Sequence, residues 1–150
     1  MNTKKIYFDL DGTLADFYAT ADWLKRLADE DTFPYDVAAP LLRMSALAKR
    51  LNNLQKKGYL IGVISWTAMN STTEYHKAVE QAKLNWLKKH LASVNFDEIK
   101  IVRYNTPKHE LGEGILFDDN AEIRKEWDRA NDTNLAFDVD NILEVLGHLN

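Results

Sequence analysis

Acidic side chains stand directly behind two apolar runs of this sequence. Asp9 and Asp11 follow the run KIYF, with Gly12 next, whereas Asp118 and Asp119 end the run GILFDD. Carboxylates from two strands, together with a backbone carbonyl and water, suit the hard oxygen coordination of Mg²⁺. A carboxylate held beside such an ion can attack phosphorus and form an aspartyl-phosphate. A second carboxylate two residues further on can protonate the leaving oxygen and then activate water.

Hydroxyl and ammonium groups that could bind a phosphoryl group follow other segments. Ser65, with Thr67 two residues on, ends the run YLIGVIS, and Lys108 lies ten residues before the acidic pair. A lysine and a hydroxyl supply charge and hydrogen bonds to the equatorial phosphoryl oxygens, where stabilisation is needed most. Backbone N–H groups around Gly12 and Thr13 can join them. Thr67 stays open as the alternative to Ser65 for the phosphate-binding hydroxyl.

Simpler explanations account for the aspartates only in part. An exposed acidic turn would explain Asp9 and Asp11 alone, but not the polar side chains at the other strand ends. A calcium loop of the EF-hand type needs oxygen ligands at alternating positions, closed by a distal glutamate. Leu14 and Ala15 interrupt such a series here. A single site for phosphoryl chemistry accounts for all of these positions together.

Two aromatic residues near these groups each have two open interpretations. Phe17 either lines the substrate pocket or packs beneath the segment that follows it. Trp66, directly after Ser65, either stacks on a base or ring of the substrate or packs in the core. We therefore count both among the candidate substrate-binding residues.

Five short apolar runs are predicted to be strands, with amphipathic helices between them. The runs are KIYFD, YLIGVIS, EIKIVRY, GILFDD and TNLAFDV. This alternation predicts an α/β fold, a three-layer Rossmann-like parallel sheet of five strands. In such sheets ligands bind beyond the carboxyl ends of the strands, where the strand order reverses. Residues 18 to 44 are too long for a simple loop and are predicted to form a small helical cap insert in a single domain of residues 1 to 150.

The composition excludes several classes of function. The 150 residues suffice for one domain with a buried core. The absence of cysteine excludes disulfides, thiolate catalysis and cysteine-based zinc sites. The net charge of −4 gives no electrostatic basis for binding a nucleic-acid polymer or a membrane, and no apolar stretch approaches the roughly 18 residues of a spanning helix. We expect a soluble, cytoplasmic protein with a small phosphorylated substrate, and a homodimer if a partner subunit is needed to close the site.

The segment DLDGTLAD resembles the first motif of the haloacid dehalogenase-like (HAD) superfamily, aspartate-nucleophile phosphohydrolases with a Rossmann-like core. Ser65 in GVIS resembles the second motif, Lys108 the third, and ILFDDN the fourth. The motifs occur in the family's order and span residues 9 to 119. The resemblance implies a HAD-like fold, a Mg²⁺-dependent phosphatase activity, and phosphate binding by Ser65 and Lys108.

The resemblance also implies a role for each matching aspartate. Asp9 would be the nucleophile and a metal ligand. Asp11 would be the general acid and base, with its main-chain carbonyl on the metal. Of Asp118 and Asp119, one would ligate the ion directly and the other through water.

A narrower resemblance is to the 5'(3')-deoxyribonucleotidases. It rests on the segment DLDGTLADF and on the ten-residue spacing from Lys108 to the acidic pair. In those enzymes the aromatic residue matching Phe17 packs near the base, and the aspartate matching Asp119 is the direct metal ligand. Trp66 and Thr67 stand where small residues are expected, and the insert of about 27 residues is shorter than that branch's helical cap.

The leading hypothesis is a Mg²⁺-dependent phosphomonoesterase that acts on a small phosphate ester such as a nucleoside monophosphate. Every catalytic position of the family pattern is filled, which favours turnover. Two alternatives stay open. One is a non-catalytic or regulatory binding protein with the same fold, and the other is a phosphotransferase acting on a sugar phosphate.

Overall fold

A parallel β-sheet forms the centre of the computed structural model, which describes residues 4–149. Its strands are β1 (Lys5–Phe8), β2 (Leu60–Trp66), β3 (Glu98–Val102), β4 (Ile115–Phe117) and β5 (Leu135–Phe137). Their order is β3-β2-β1-β4-β5, and every neighbouring pair is parallel. The strand order reverses beside β1, because the chain returns from the β3 edge to form β4 on the other side of β1. The predicted α/β fold with a parallel five-stranded sheet is confirmed.

Helices follow the strands as the amphipathic patterns predicted. They are α1 (Trp23–Ala28), α2 (Phe33–Val37), α3 (Met44–Lys56), α4 (Thr73–His90), α5 (Ala121–Ala130) and α6 (Ile142–Gly147). Short 3₁₀ turns occur at Phe17–Ala19, Lys108–Glu110 and Val139–Asn141. Within the described part of the chain, no helix combines the length and the apolarity that crossing a membrane requires.

Two apolar layers cover the sheet, because alternate residues of a strand point to opposite faces. On one face Ile6 and Phe8 join a core with α3, α6 and part of α4, and Phe8 stacks on Phe117 with ring centroids 5.1 Å apart. On the other face Tyr7 meets Trp127 of α5 edge-on at 5.9 Å. Burying a side chain such as Phe8 contributes roughly 1.5–3 kcal/mol. These two layers fix the positions of the residues that leave β1 and β4.

Side-chain caps begin two of the helices that support the carboxyl edge of the sheet. At the start of α4, the hydroxyl of Thr72 accepts the N–H of Tyr75 at 3.1 Å. At the start of α5, the side-chain oxygen of Asn120 accepts the N–H groups of Glu122 and Ile123. Such a cap contributes about 1 kcal/mol. Because the cap residue Asn120 lies two residues after Asp118, this cap fixes the path of the chain past the acidic pair.

The segment between β1 and α3 is helical and is bonded to α4. It contains the turn Phe17–Ala19, α1 and α2, and α3 begins at Met44. The indole N–H of Trp86 donates to the carbonyl of Ala38 at 2.8 Å, and the Tyr75 hydroxyl donates to the carbonyl of Asp31 at 2.8 Å. These two hydrogen bonds attach the insert to α4. Whether residues 18 to 44 act as a separate cap stays a prediction.

Candidate active site

Three aspartates from neighbouring strands meet at the carboxyl edge of the sheet. Asp9 directly follows β1, and Asp118 and Asp119 directly follow β4. The N–H of Asp9 donates to the carbonyl of Phe117 at 3.0 Å, which continues the pairing of β1 with β4 beyond the strand ends. One oxygen from each of the three carboxylates lies within 4.8 Å of the others. Asp9 and Asp118 are buried, whereas Asp119 is exposed.

The ammonium group of Lys108 lies between two of these carboxylates. Lys108 is buried, and its Nζ lies 3.0 Å from Oδ1 of Asp9 and 2.8 Å from Oδ2 of Asp118. Burial alone would lower the pKa of Lys108, but the charges of Asp9 and Asp118 outweigh burial and raise this pKa. Lys108 is therefore a fixed cation beside the aspartates that follow β1 and β4.

One shared ammonium does not compensate the whole cluster. Burial and the charge of Asp9 raise the pKa of Asp118 to about 6, although Lys108 and the backbone N–H of Asn120 oppose the rise. Burial and Asp9 also raise the pKa of Asp119 to about 7. A divalent cation among the three carboxylates would stabilise their ionised forms. The donors are all hard oxygens, which fits Mg²⁺.

A tight turn that starts at Gly12 holds the chain against the acidic pair. Gly12 has a φ of +80°, and a Cβ at this position would collide with the carboxylate of Asp119. The N–H groups of Gly12 and Thr13 donate to carbonyl groups within the turn, so a phosphoryl group would have to share these donors. The Thr13 hydroxyl donates to Oδ2 of Asp9 at 3.1 Å. In this structure the turn orients the Asp9 carboxylate.

Lys83 of α4 is a second buried cation, and its role was not apparent from the motifs. Its Nζ lies 2.8 Å from Oδ2 of Asp11 and 2.6 Å from Oγ of Ser65. Ser65 itself is completely buried and does not line the cavity beside the aspartates. The sequence did carry a signal for Lys83, because Val79, Lys83 and Trp86 recur at the spacing of one helix face. A lysine within an apolar stripe marks a position that needs a buried partner.

Thr67 places its hydroxyl at the cavity wall that Ser65 does not reach. Thr67 is buried and lines the cavity, and its Oγ1 lies 2.7 Å from Nδ1 of His76 on α4. The end of β2 thus presents two hydroxyl groups, one bonded to a lysine and the other to a histidine. Both stay candidates for binding a phosphoryl group.

A cavity of about 310 Å³ adjoins the aspartates and has a largely aromatic and aliphatic wall. Its aromatic residues are Phe17, Tyr18, Trp23, Tyr35, Trp66 and Tyr104. The indole N–H of Trp66 donates to a backbone carbonyl of the loop after β3, and Tyr104 packs against the Trp66 ring at 5.0 Å. Nζ of Lys108 lies 5.4 Å from the centroid of the same ring. Phe17 lines the cavity and also packs on Tyr35 at 4.7 Å, so both interpretations of Phe17 stay open.

No protein-family model matches the chain, and no curated protein matches it either. Solved structures do match. A chain of the Pnkp1/Rnl/Hen1 complex is 18% identical with a TM-score of 0.59, over 91% of this chain and 46% of its own length. This chain therefore spans less than half of that neighbour.

Two further neighbours match over nearly their whole length. The D,D-heptose 1,7-bisphosphate phosphatase from B. bronchiseptica, complexed with magnesium and phosphate, is 10% identical with a TM-score of 0.58, over 98% of this chain and 99% of its own. The D,D-heptose 1,7-bisphosphate phosphatase from Burkholderia thailandensis is 13% identical with a TM-score of 0.55, over 97% of each chain. The chain shares the fold of these proteins.

Proposed function

We propose that this protein is a Mg²⁺-dependent phosphomonoesterase that works through an aspartyl-phosphate on Asp9. The observation that carries the proposal is the meeting of Asp9, Lys108, Asp118 and Asp119 at one edge of the sheet, with Asp11 lining the same cavity. The fold shared with two sugar bisphosphate phosphatases supports the same class of reaction.

Asp9 and Asp11 divide the chemistry between a nucleophile and a proton donor. An oxygen of Asp9 attacks the phosphorus, the bond from phosphorus to the leaving oxygen breaks, and the Asp11 carboxyl gives its proton to that oxygen. Asp11 then takes a proton from the water that attacks the aspartyl-phosphate, which releases inorganic phosphate and restores Asp9. Burial raises the pKa of Asp11 although Lys83 opposes the rise, and a raised pKa suits a proton donor.

The hydrogen bonds of the acidic pair favour Asp119 as the direct metal ligand. Oδ2 of Asp118 is bonded to Lys108 at 2.8 Å, and its Oδ1 accepts the N–H of Asn120 at 2.9 Å. Both oxygens of Asp118 are therefore engaged, which suits a contact through water. We assign the ion to Asp9, Asp119 and the main-chain carbonyl of Asp11, with Asp118 in the outer position. Bound Mg²⁺ would neutralise the charge of the phosphoryl oxygens.

The wall of the cavity favours a monophosphate ester with a flat, uncharged group, such as a (deoxy)nucleoside monophosphate. Trp66 and Tyr104 present rings beside Lys108, and such rings stack on a base. Among the described residues that line the cavity, Lys108 is the sole lysine or arginine. A second phosphoryl group would thus lack a cationic partner there, which disfavours a bisphosphate.

A screen for phosphate release tests the proposal. Nucleoside monophosphates, sugar phosphates, phosphoamino acids and p-nitrophenyl phosphate are incubated with the protein in Mg²⁺ or in EDTA. We expect phosphate release that requires Mg²⁺ and is fastest with a nucleoside monophosphate. The homodimer, the cytoplasmic location and the absence of a polymeric nucleic-acid or membrane partner stay predictions.

Substitution of the proposed nucleophile, compared with a matched control variant, tests the mechanism. Asp9→Asn is expected to abolish turnover without unfolding the protein, because the amide cannot form the acyl phosphate. The control is Asp132→Asn, which changes an exposed aspartate in the loop after α5 and leaves turnover unchanged. Hydrolysis by Asp9→Asn at the wild-type rate in Mg²⁺ would show that the mechanism is wrong.

The same screen separates the two other functions. A binding or regulatory protein would bind Mg²⁺ and a phosphate mimic without turnover. A phosphotransferase would consume the ester and form a phosphorylated acceptor without free phosphate.

A further inference from the structure

Lys83 is a lysine in an unusual place. It lies on the face of α4 that packs against the rest of the protein, where Val79, Ala82, Trp86 and Leu87 are also buried, and it is 2% exposed. Moving an ammonium group out of water costs several kcal/mol unless partners compensate the charge. A lysine at this position therefore depends on the groups that surround its Nζ.

Those groups come from three different parts of the chain. Nζ donates to Oδ2 of Asp11 at 2.8 Å, in the turn after β1, and to Oγ of Ser65 at 2.6 Å, at the end of β2. It also lies 5.2 Å from the centroid of the Tyr35 ring, in α2 of the insert. Lys83 thus joins the proposed proton donor, a proposed phosphate-binding hydroxyl and the wall of the cavity.

The two buried lysines form ion pairs with different carboxylates. Lys108 is paired with Asp9 and Asp118, whereas Lys83 is paired with Asp11. The Asp11 carboxylate is therefore held apart from the oxygens of Asp9, Asp118 and Asp119 that form the compact cluster. Without Lys83, the Asp11 carboxylate would be a buried charge without its ammonium partner, and no ion pair would hold its orientation.

The direction of the hydrogen bonds adds a second effect. An ammonium group has donors but no acceptor. Ser65 must therefore accept from Lys83, which leaves its own hydroxyl proton available to donate. The same constraint makes Oδ2 of Asp11 an acceptor, so that Oδ1 is the oxygen available for proton transfer.

We propose that Lys83 is a positioning residue that holds the Asp11 carboxyl in place for proton transfer to the leaving oxygen. The inference rests on the proposed phosphatase function. Lys83 contacts neither Asp9 nor the pair Asp118 and Asp119, so its loss affects protonation of the leaving group and spares the metal site. This separation distinguishes Lys83 from Lys108.

A pair of esters with similar rings and different leaving groups tests the role. p-Nitrophenyl phosphate releases a stable phenolate that needs little protonation, whereas benzyl phosphate releases an alkoxide that needs a proton donor. General acid catalysis contributes typically 10²- to 10⁴-fold. In Lys83→Met we expect the ratio of kcat/KM for p-nitrophenyl phosphate to that for benzyl phosphate to rise by about tenfold or more.

Controls separate positioning from a merely structural role. The ratio is measured within one preparation, so a partly unfolded sample lowers both rates and leaves the ratio unchanged. Lys77→Met, at an exposed position of the same helix, should leave the ratio unchanged. The Mg²⁺ concentration that gives half-maximal activity should also be unchanged in Lys83→Met. Lys83→Gln, which keeps a donor for both oxygens, should give an intermediate ratio and serves in place of the Met variant if that variant does not fold.

A double substitution completes the test. In Asp11→Asn the ratio should already be raised, and adding Lys83→Met should raise it no further. An equal loss with both esters in Lys83→Met, or a further rise in the Asp11→Asn background, would overturn the inference. Failure of the phosphatase proposal itself looks different, because the wild-type protein would then hydrolyse neither ester.

Discussion

The buried carboxylate of Asp118 should make the stability of the metal-free protein fall as the pH rises. Its pKa is about 6 in the folded protein, against an ordinary value of 3.8. Between these values the folded state binds more protons than the unfolded state, so the free energy of unfolding decreases with increasing pH. The stability contributed by the protonated carboxyl is complete below about pH 4 and is lost as the pH passes through about 6.

A shift of about two pKa units corresponds to about 3 kcal/mol. For a chain of this length, each kcal/mol changes Tm by about 2–4 °C, so Asp118 accounts for about 6–12 °C between pH 4 and pH 7. The pKa of Asp119 is also raised, to about 7. Because the Asp119 side chain is exposed, water screens its charge and weakens its effect on stability.

Asp118→Asn removes this contribution, together with the effect of the Asp118 charge on the pKa of Asp119. The amide stays neutral and still accepts a hydrogen bond from Lys108, which keeps Asp9 as its ionic partner. Melting is followed by circular dichroism in EDTA from pH 4 to pH 7. The Tm of the variant minus that of the wild type should rise by about 6–12 °C over this range.

Adding Mg²⁺ at pH 7 should reduce the Tm difference between the two proteins. The ion binds the ionised carboxylates of the folded wild type and stabilises it by about 2.7 kcal/mol when its concentration is 100 times the dissociation constant. Asp118→Asn should gain less, because it has lost one of the charges that face the ion. A Tm difference that does not change with pH, or equal stabilisation of both proteins by Mg²⁺, would refute the reasoning.

Two further substitution pairs test the turn and the hydroxyl groups. Gly12→Ala should lower the free energy of unfolding by more than Gly58→Ala does, as measured by denaturant unfolding. Both glycines have a positive φ, and this left-handed conformation alone costs an alanine roughly 1–2 kcal/mol. Of the two positions, only position 12 has a neighbour, Asp119, that an added Cβ would meet. Ser65→Ala and Thr67→Val distinguish the two candidate hydroxyl groups in a competition assay. Loss of the hydroxyl that binds phosphate should weaken inhibition by inorganic phosphate by about tenfold or more, as expected for a hydrogen bond to a charged group, whereas loss of the other should change it by less than about twofold. A change below about twofold in both variants would exclude both hydroxyl groups.

The strands and the acidic cluster were predictable because each depends on a local pattern plus one topological rule. The apolar runs that became β1, β2 and β4 are short and nearly continuous, as in strands covered on both faces. Parallel strands bring their carboxyl ends to one edge, so the residues that follow β1 and β4 meet although more than 100 positions separate them.

The partner of Lys83 and the position of Tyr104 could not be predicted by the same reasoning. Lys83 lies in the middle of a helix, where a lysine usually reaches water, and only the path of α4 past the turn after β1 gives it Asp11 as a partner. Tyr104 lies in a loop after β3 that has no regular pattern. Its ring lines the cavity because the loop returns toward Trp66. Both positions depend on how elements distant in sequence pack together.

The contacts of α4 connect recognition of the substrate with the proposed proton donor. The same helix bonds the insert through Trp86 and Tyr75 and carries Lys83, which touches Asp11. Tyr35 of the insert lines the cavity and lies over the Lys83 ammonium group. A substrate that displaces the insert must therefore change either the hydrogen bonds between the insert and α4 or the position of Tyr35 over the Lys83 ammonium group. The short insert thus has two physical effects, because it supplies part of the aromatic wall and it fixes the helix that orients Asp11.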